Sequence, residues 1–132
     1  MKAKNLLKSL CASALFLMST VTLSAENDSN LFYNSEVANG LKVAETIYKA
    51  DGSGLANYMK YNYTYDEQNR LTMSEAMKWD AQSDQWQKDM CMRYAYEGNH
   101  ITTTYYQWNE GKGQYILVPE MTVTMESTAT AQ

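Results

Sequence analysis

Histidine, cysteine and proline are almost absent from this chain of 132 residues, which has one histidine, two cysteines and one proline. The histidine, His100, has no second histidine or cysteine near it in the sequence to complete a zinc site. Cys91 lies several residues from His100, and in a strand its side chain would point to the opposite face from the apolar residues around it. No Ser-His-acid or Cys-His arrangement is therefore expected. We therefore predict no metal, no cofactor and no hydrolytic triad.

A long apolar run is also missing. The most apolar stretch, Leu10 to Met18, is too short to span a bilayer. It follows three lysines and precedes small residues that end at Ala25, a pattern typical of a secretory signal. We predict a signal peptide at 1–25, one domain at 26–132, export to the periplasm or the outside of the cell, and no integral membrane segment in the mature protein.

Basic residues are scarce as well. The chain carries 11 Lys and Arg against 15 Asp and Glu, and loss of the three leader lysines would move the net charge from −4 to −7. Such a chain repels nucleic acid and anionic lipid, which argues against both as partners. Only Cys91 would remain after cleavage, which leaves no intramolecular disulfide, and we place this cysteine half-buried in a strand.

What the sequence does contain is a repeated hairpin pattern. Residues 63–72 read Tyr-Thr-Tyr-Asp-Glu-Gln-Asn-Arg-Leu-Thr, and residues 94–102 repeat the order Tyr-x-Tyr-acid, Asn, aliphatic, Thr about thirty residues later. In the first copy, Asp66 suits the start of a type I turn and Asn69 suits the left-handed position that closes a three-residue loop. In the second, Gly98 and Asn99 fit a two-residue primed turn.

These turns predict the strand register, which would keep the large side chains on one face. The predicted facing pairs are Tyr65 with Leu71, Tyr63 with Met73, Tyr61 with Glu75, Met59 with Met77, Tyr96 with Ile101, Tyr94 with Thr103, and Met92 with Tyr105. Counting by twos from Leu71 places Trp79 on that face. Counting from Ile101 places Trp108 on the other face unless a bulge intervenes.

The whole pattern favours an all-β fold, because no window after the leader keeps a helical apolar period. We predict seven strands: Leu31 to Glu36, Leu41 to Ala50, Leu55 to Asp66, Leu71 to Trp79, Gln85 to Tyr96, Ile101 to Trp108 and Gln114 to Met125. Pro119 falls in the last strand, where an edge would tolerate it. Short turns and repeats of about 30 residues indicate an antiparallel meander, either a curled single sheet or a small open barrel.

The Tyr-x-Tyr-Asp-Glu-x-x-Arg turn and the Trp-Asp and Trp-Asn strand ends, from roughly Leu31 to Tyr115, resemble a family of small exported proteins of Bacteroides-type bacteria that is known only as a domain of unknown function. That resemblance implies export and a β-rich fold, with no activity attached. Residues 63–72 are also similar to the YD repeat of Rhs-type shell proteins. Because the period is longer here and Asn69 replaces the usual glycine, we interpret this second similarity as shared hairpin physics.

The carboxylates that suggest catalysis are few. Glu45 and Glu75 occupy equivalent positions on the same nominal face, on the order of 10 Å apart across one intervening strand. That separation slightly exceeds the roughly 6.5–9.5 Å of an inverting glycosidase pair. We favour the simpler interpretation that each bonds a neighbouring tyrosine hydroxyl, and we predict a protein that is not an enzyme. The acidic loops at 51–54 and 80–84 lack the alternating oxygen ligands of a calcium loop, so we interpret them as solvated turns.

Tyrosine and tryptophan are abundant, with 11 Tyr and 3 Trp. Both couple an apolar ring to a hydrogen-bonding tip, which suits sugar rings and protein partners, although half-buried strands also use them as core. The candidate binding residues are Trp79, Trp86, Trp108, Tyr115 and Tyr106.

Two functions remain open from the sequence. The first is an exported non-catalytic binding module that presents an aromatic sheet face to a glycan or a protein. The alternative is a structural or assembly protein that pairs through an exposed edge strand near Leu117 to Met125, which would allow a homo-oligomer.

Overall fold

The computed structural model describes residues 18–22 and 30–127, which form one antiparallel β-sheet. Its strands are β1 (Met18–Thr22), β2 (Leu31–Ala38), β3 (Leu41–Ala50), β4 (Leu55–Tyr65), β5 (Leu71–Asp80), β6 (Gln85–Glu97), β7 (His100–Asn109), β8 (Gln114–Leu117) and β9 (Val123–Glu126). Strands β1 to β8 follow one another in chain order, and β9 also pairs with β7. The predicted all-β meander is confirmed, as a single open sheet.

The predicted signal peptide lies largely outside the described residues. Of residues 1–25, only β1 is described, and it pairs antiparallel with β2 from Met18 opposite Val37 to Thr22 opposite Tyr33. Cleavage after Ala25 would remove β1 and leave β2 as the sheet edge. Among residues 18–22 and 30–127, no helix is long and apolar enough to cross a membrane.

The two predicted turns are both present. The backbone N–H of Asn69 donates to the Asp66 carbonyl at 3.0 Å, and Asn69 has a φ of 60°. The Asp66 carboxylate accepts the backbone N–H groups of Gln68 and Arg70, each at 2.9 Å, which fixes the loop. The second turn is a two-residue loop in which Gly98 has a φ of 61°, a backbone region that glycine enters without steric cost.

The register of the second hairpin is confirmed, because Tyr96 faces Ile101, Tyr94 faces Thr103 and Met92 faces Tyr105. In the first hairpin only the pair next to the turn, Tyr65 with Leu71, is as predicted. Beyond it the prediction is wrong: Thr64 faces Met73, Tyr63 faces Ser74, Tyr61 faces Ala76, and Met59 faces Lys78. Thr72 is an extra residue in β5, and such a β-bulge turns every later side chain of the strand to the other face.

Comparable bulges interrupt four successive strand pairs, from β2–β3 to β5–β6. The extra residue lies on the later strand of each pair, and these residues are Val43, Tyr58, Thr72 and Asp89. Bulges bend a strand and strengthen its twist, so the sheet is repeatedly reshaped along its width.

The predicted last strand, Gln114 to Met125, is wrong as one continuous element. A 3-10 turn at Pro119–Met121 separates β8 from β9, and both strands pair with β7. Pro119 has no N–H to give to the sheet, so the chain leaves the ladder there. The prediction that Pro119 lies within a strand is therefore wrong, because it begins the turn between two strands.

The two faces of the sheet differ in composition, and facing residues share a face. We call one the Trp face: it carries Trp79, Trp86, Trp108, Tyr115 and Tyr106, together with Glu75 and Cys91. We call the other the Tyr face: it carries Tyr61, Tyr63, Tyr65, Tyr94, Tyr96, Tyr105, Met59, Met90, Met92, Leu71 and Ile101. The expectation that Trp79 shares a face with Leu71 is therefore wrong, because the Thr72 bulge lies between them.

The buried residues of the described chain are mostly small ones between larger neighbours. They include Ala44, Ser74, Ala76 and Cys91. Cys91 is 1% exposed, deeper than the half-buried position predicted for it. The tyrosines and methionines of the Tyr face are only half-buried. The sheet therefore has one layer, and its large side chains still contact water.

Candidate functional site

A gap opens in the sheet where β6 and β7 separate. Their pairing ends at Met90 opposite Gln107. From there β6 runs back to Gln85 along β5, while β7 runs on to Asn109 along β8. The bulged residue Asp89 lies at the point of separation. We call this gap the notch.

A side-chain hydrogen bond crosses the notch. The Gln107 Nε2 donates to the Asp89 carbonyl at 2.6 Å and lies 3.3 Å from Asp89 Oδ1. Asp89 also accepts Lys78 Nζ at 2.8 Å, and this bond raises the pKa of the Lys78 ammonium. The position of the Asp89 carboxylate is thereby fixed from both sides.

The notch holds a cavity of about 340 Å³. Its lining residues are Gln87, Lys88, Asp89, Gln107, Trp108 and Glu110. The lining thus combines one indole with two amides, two carboxylates and one ammonium. The volume lies at the lower end of the roughly 300–1,000 Å³ typical of ligand pockets.

Two aromatic pairs flank the notch on the Trp face. On the β5–β6 side, the rings of Trp79 and Trp86 are 5.1 Å apart with an interplanar angle of 67°. On the β7–β8 side, the rings of Trp108 and Tyr115 are 5.0 Å apart at 70°. Both are cross-strand pairs with edge-to-face geometry, a favourable arrangement for two aromatic rings.

Lys88 and Glu75 connect the two sides. Lys88 Nζ lies 4.9 Å from the centroid of the Trp108 ring and 5.5 Å from that of Tyr115. It is also 3.7 Å from Glu75 Oε1, which accepts the Tyr115 hydroxyl at 2.7 Å. Burial and the hydrogen bond to Glu75 raise the pKa of the Tyr115 hydroxyl. Side chains from β5, β6, β7 and β8 thus meet on this face.

The structure brings four of the five predicted binding residues to the notch. Trp108 lines the cavity, and Trp79, Trp86 and Tyr115 lie beside it. Tyr106 shares the face but is one row away, opposite Cys91, and the guanidinium carbon of Arg93 lies 5.1 Å from its ring centroid.

The prediction that Glu45 and Glu75 lie on the same face as a carboxylate pair is wrong. Glu45 faces Tyr61 on the Tyr face, whereas Glu75 faces Cys91 on the Trp face, so the sheet separates them. Glu45 accepts the Ser35 hydroxyl at 3.0 Å and Lys42 Nζ at 2.8 Å. The predicted bond to a tyrosine hydroxyl is confirmed for Glu75 alone.

The acidic loops use their carboxylates within their own turns. Asp51 accepts the hydroxyl and the backbone N–H of Ser53, and these bonds lower the pKa of the Asp51 carboxyl. Asp80 accepts the Ser83 hydroxyl at 2.6 Å, which lowers its pKa in the same way. His100 is exposed at the start of β7.

Sequence reasoning missed the polar residues of the cavity: Gln87, Lys88, Asp89, Gln107 and Glu110. A signal for some of them was present, because residues 85–89 read Gln-Trp-Gln-Lys-Asp and do not keep the period-two alternation of an ordinary half-buried strand. Loss of alternation is what a bulge produces.

The chain matches the model of a family described as "Family of unknown function (DUF3836)" over residues 1–126. It is similar to a crystal structure of a DUF3836 family protein from Bacteroides vulgatus, with 52% sequence identity and a TM-score of 0.71 over 74% of this chain and 99% of that chain. No curated protein matches it.

Two further crystal structures share the fold at lower identity. A DUF3836 family protein from Parabacteroides distasonis is 18% identical, with a TM-score of 0.63 over 84% of this chain and 94% of that chain. A protein of unknown function from Bacteroides fragilis is 23% identical, with a TM-score of 0.62 over 66% of this chain and 65% of that chain. The resemblance to a Bacteroides-type family of unknown function is confirmed, and the chain belongs to the DUF3836 family.

Proposed function

We propose that this protein is a non-catalytic binding module that holds a glycan at the notch and on the Trp face beside it. The observation that carries the proposal is the cavity itself, in which the Trp108 indole stands among two amides and two carboxylates. A sugar offers an apolar ring face for stacking and a rim of hydroxyls for hydrogen bonds. The lining supplies a partner for each.

The surroundings extend this surface beyond one sugar ring. Trp79 and Trp86 lie on one side of the notch and Tyr115 on the other, all half-buried and on one face. A chain of sugars that enters the notch would pass between these rings. A protein partner would also accept aromatic contacts, but a small polar cavity favours a hydroxyl-rich ligand.

Export and the hairpin repeat belong to the same proposal. Lysines, a short apolar run and small residues before Glu26 support export to the periplasm or beyond it. In support of the repeat, each flanking aromatic pair joins residues seven apart in sequence, and the two pairs have nearly the same ring geometry.

Glu110→Ala tests the proposal, because Glu110 lines the cavity and is exposed, so that its loss should spare the fold. Glu97→Ala is the matched control: it removes an exposed carboxylate from the far end of β6. Tryptophan emission and acrylamide quenching are followed while soluble starch, xylan, pectin and mucin glycans are added in turn.

We expect one of these glycans to protect tryptophan from acrylamide in a saturable way. Loss of one hydrogen bond to a charged group costs about 1.5 kcal/mol, so Glu110→Ala should weaken that binding about tenfold. Glu97→Ala should bind like the parent. A panel without response, or equal binding by both variants, would contradict a glycan site at the notch.

A second candidate function is assembly through the sheet edge, favoured by apolar side chains on the β8–β9 side. Leu117 is 45% exposed, Val123 50% and Met125 58%. An exposed edge strand with apolar residues is a template for pairing with another chain. Thr124→Pro would remove a backbone N–H from β9, and proline cannot donate a hydrogen bond to a neighbouring strand. If edge pairing is the function, this variant should lose concentration-dependent oligomers that the parent forms.

A further inference from the structure

No second layer covers the Tyr face within residues 18–22 and 30–127. Within the described residues the strands lie side by side in one sheet, and the large side chains of the Tyr face are half-buried. A sheet with one apolar face gains stability when another layer covers that face. The face is therefore a surface that no other part of the described chain covers.

The middle of the Tyr face carries no charge from β4 to β7. Its members there include Tyr61, Tyr63, Met90, Met92 and Tyr105, with the rings of Tyr61 and Tyr63 stacked 6.5 Å apart at 13°. Burial is the main cause that raises the pKa of Tyr63 to about 12. An uncharged, aromatic centre is the composition of an interface core.

The charges of this face lie around that centre, and those nearest to it are paired. Three ion pairs, each 2.8 Å long, surround it: Lys42 with Glu45, Arg70 with Asp66, and Lys78 with Asp89. A second copy of this acidic chain would meet no repulsion across the centre.

The centre also complements itself. The Tyr105 hydroxyl donates to Met90 Sδ at 2.9 Å, and the hydroxyls of Tyr61 and Tyr94 lie 3.9 Å from the sulfurs of Met59 and Met92. These contacts give the tyrosine hydroxyls acceptors within the chain. In a two-fold symmetric pair, the same surface patch packs against itself, and this centre therefore requires no polar partner from the other copy.

The area is large enough for a stable pair. Six strands, β2 to β7, at ~4.8 Å spacing and about seven residues of height give a face of roughly 29 by 23 Å, or ~670 Å² on each copy. Two copies would bury about 1,300 Å², within the range of about 1,200–2,000 Å² of specific interfaces. From area, charge and self-complementarity we propose that two copies of the chain pack their Tyr faces together as a sandwich, with both Trp faces outward.

Analytical ultracentrifugation from about 1 to 100 μM tests this pairing, a range that brackets micromolar affinities. We expect the parent to change from one chain to two, and Met92→Lys to remain monomeric because it puts a charge in the interface centre. Thr104→Lys, a half-buried β7 residue on the Trp face, is the matched control and should still dimerise. A parent that is monomeric throughout overturns the proposal, as does a dimer lost in Thr124→Pro but kept in Met92→Lys.

Methionine oxidation gives a second test that needs no variant. Met90 and Met92 lie on the Tyr face, and Met73 and Met77 lie on the Trp face, all four half-buried in one chain. With hydrogen peroxide and mass spectrometry, oxidation of Met90 and Met92 should slow as protein concentration rises. Oxidation of Met73 and Met77 should not. Equal rates for both pairs at every concentration overturn the proposal.

Discussion

Tyr115→Phe should destabilise the fold by about 1.5 kcal/mol, the lower end of the roughly 1.5–3 kcal/mol typical of a hydrogen bond to a charged group. The hydroxyl donates to Glu75 Oε1 at 2.7 Å, and nothing else about the ring changes. We take the lower end because Glu75 keeps Lys88 at 3.7 Å and its side chain is 19% exposed to water.

Urea denaturation at pH 7 measures this loss from the shift in midpoint at constant slope. Tyr58→Phe is the control, because that ring is 43% exposed. Glu75→Gln and the double variant complete a cycle that isolates the energy between the two side chains. A Tyr115→Phe midpoint equal to that of the control, or no coupling in the cycle, would refute the reasoning.

The pH dependence has a definite sign. The Tyr115 pKa is raised in the fold, first by burial and then by Glu75, whereas an unfolded tyrosine titrates near ~10. The folded chain therefore holds this proton more tightly, and its contribution is fully present below about pH 10 and is lost as pH rises through the folded pKa. The difference in free energy of unfolding between the parent and Tyr115→Phe should decrease above about pH 10. A difference that increases there would contradict a raised pKa for Tyr115.

Two further predictions concern a buried thiol and a turn. Cys91 is 1% exposed, and burial raises the pKa of its thiol. A thiol reagent should therefore label Cys91 slowly in the native protein and quickly in urea. Equal labelling rates would contradict its burial. Asn69 has a φ of 60°, so Asn69→Val should cost roughly 1–2 kcal/mol in thermal or urea unfolding, whereas Gln68→Val in the same loop should cost less.

The second hairpin was predictable from sequence because its ladder is regular. Gly98 fixes the turn, and from Tyr96 to Met92 every partner follows by counting. The first hairpin was predictable only as far as Leu71. The Thr72 bulge depends on how β4 and β5 pair along their length, and one extra residue is enough to reverse which face each later side chain occupies.

The sequence predicted the aromatic residues of the candidate site but not its polar residues. Its rings were identified because tryptophan and tyrosine at strand ends stand out in a sequence. Its polar lining was not, because the notch exists only where β6 and β7 stop pairing, and that stop depends on the Asp89 bulge and on Gln107, which bonds across the gap. Counting alternate residues along the strands also placed Glu45 and Glu75 on one face. The Thr72 bulge puts them on opposite faces.

The order of strands in the sheet has a consequence for how the chain folds. Each strand from β2 to β8 lies beside its neighbours in sequence, and short turns join these neighbouring strands. Short loops cost little entropy, so a hairpin such as β4–β5 or β6–β7 can form first and the ladder can grow outward from it. Unfolding would run the other way, by fraying from the edges, so that local stability declines from the central strands toward both ends of the sheet.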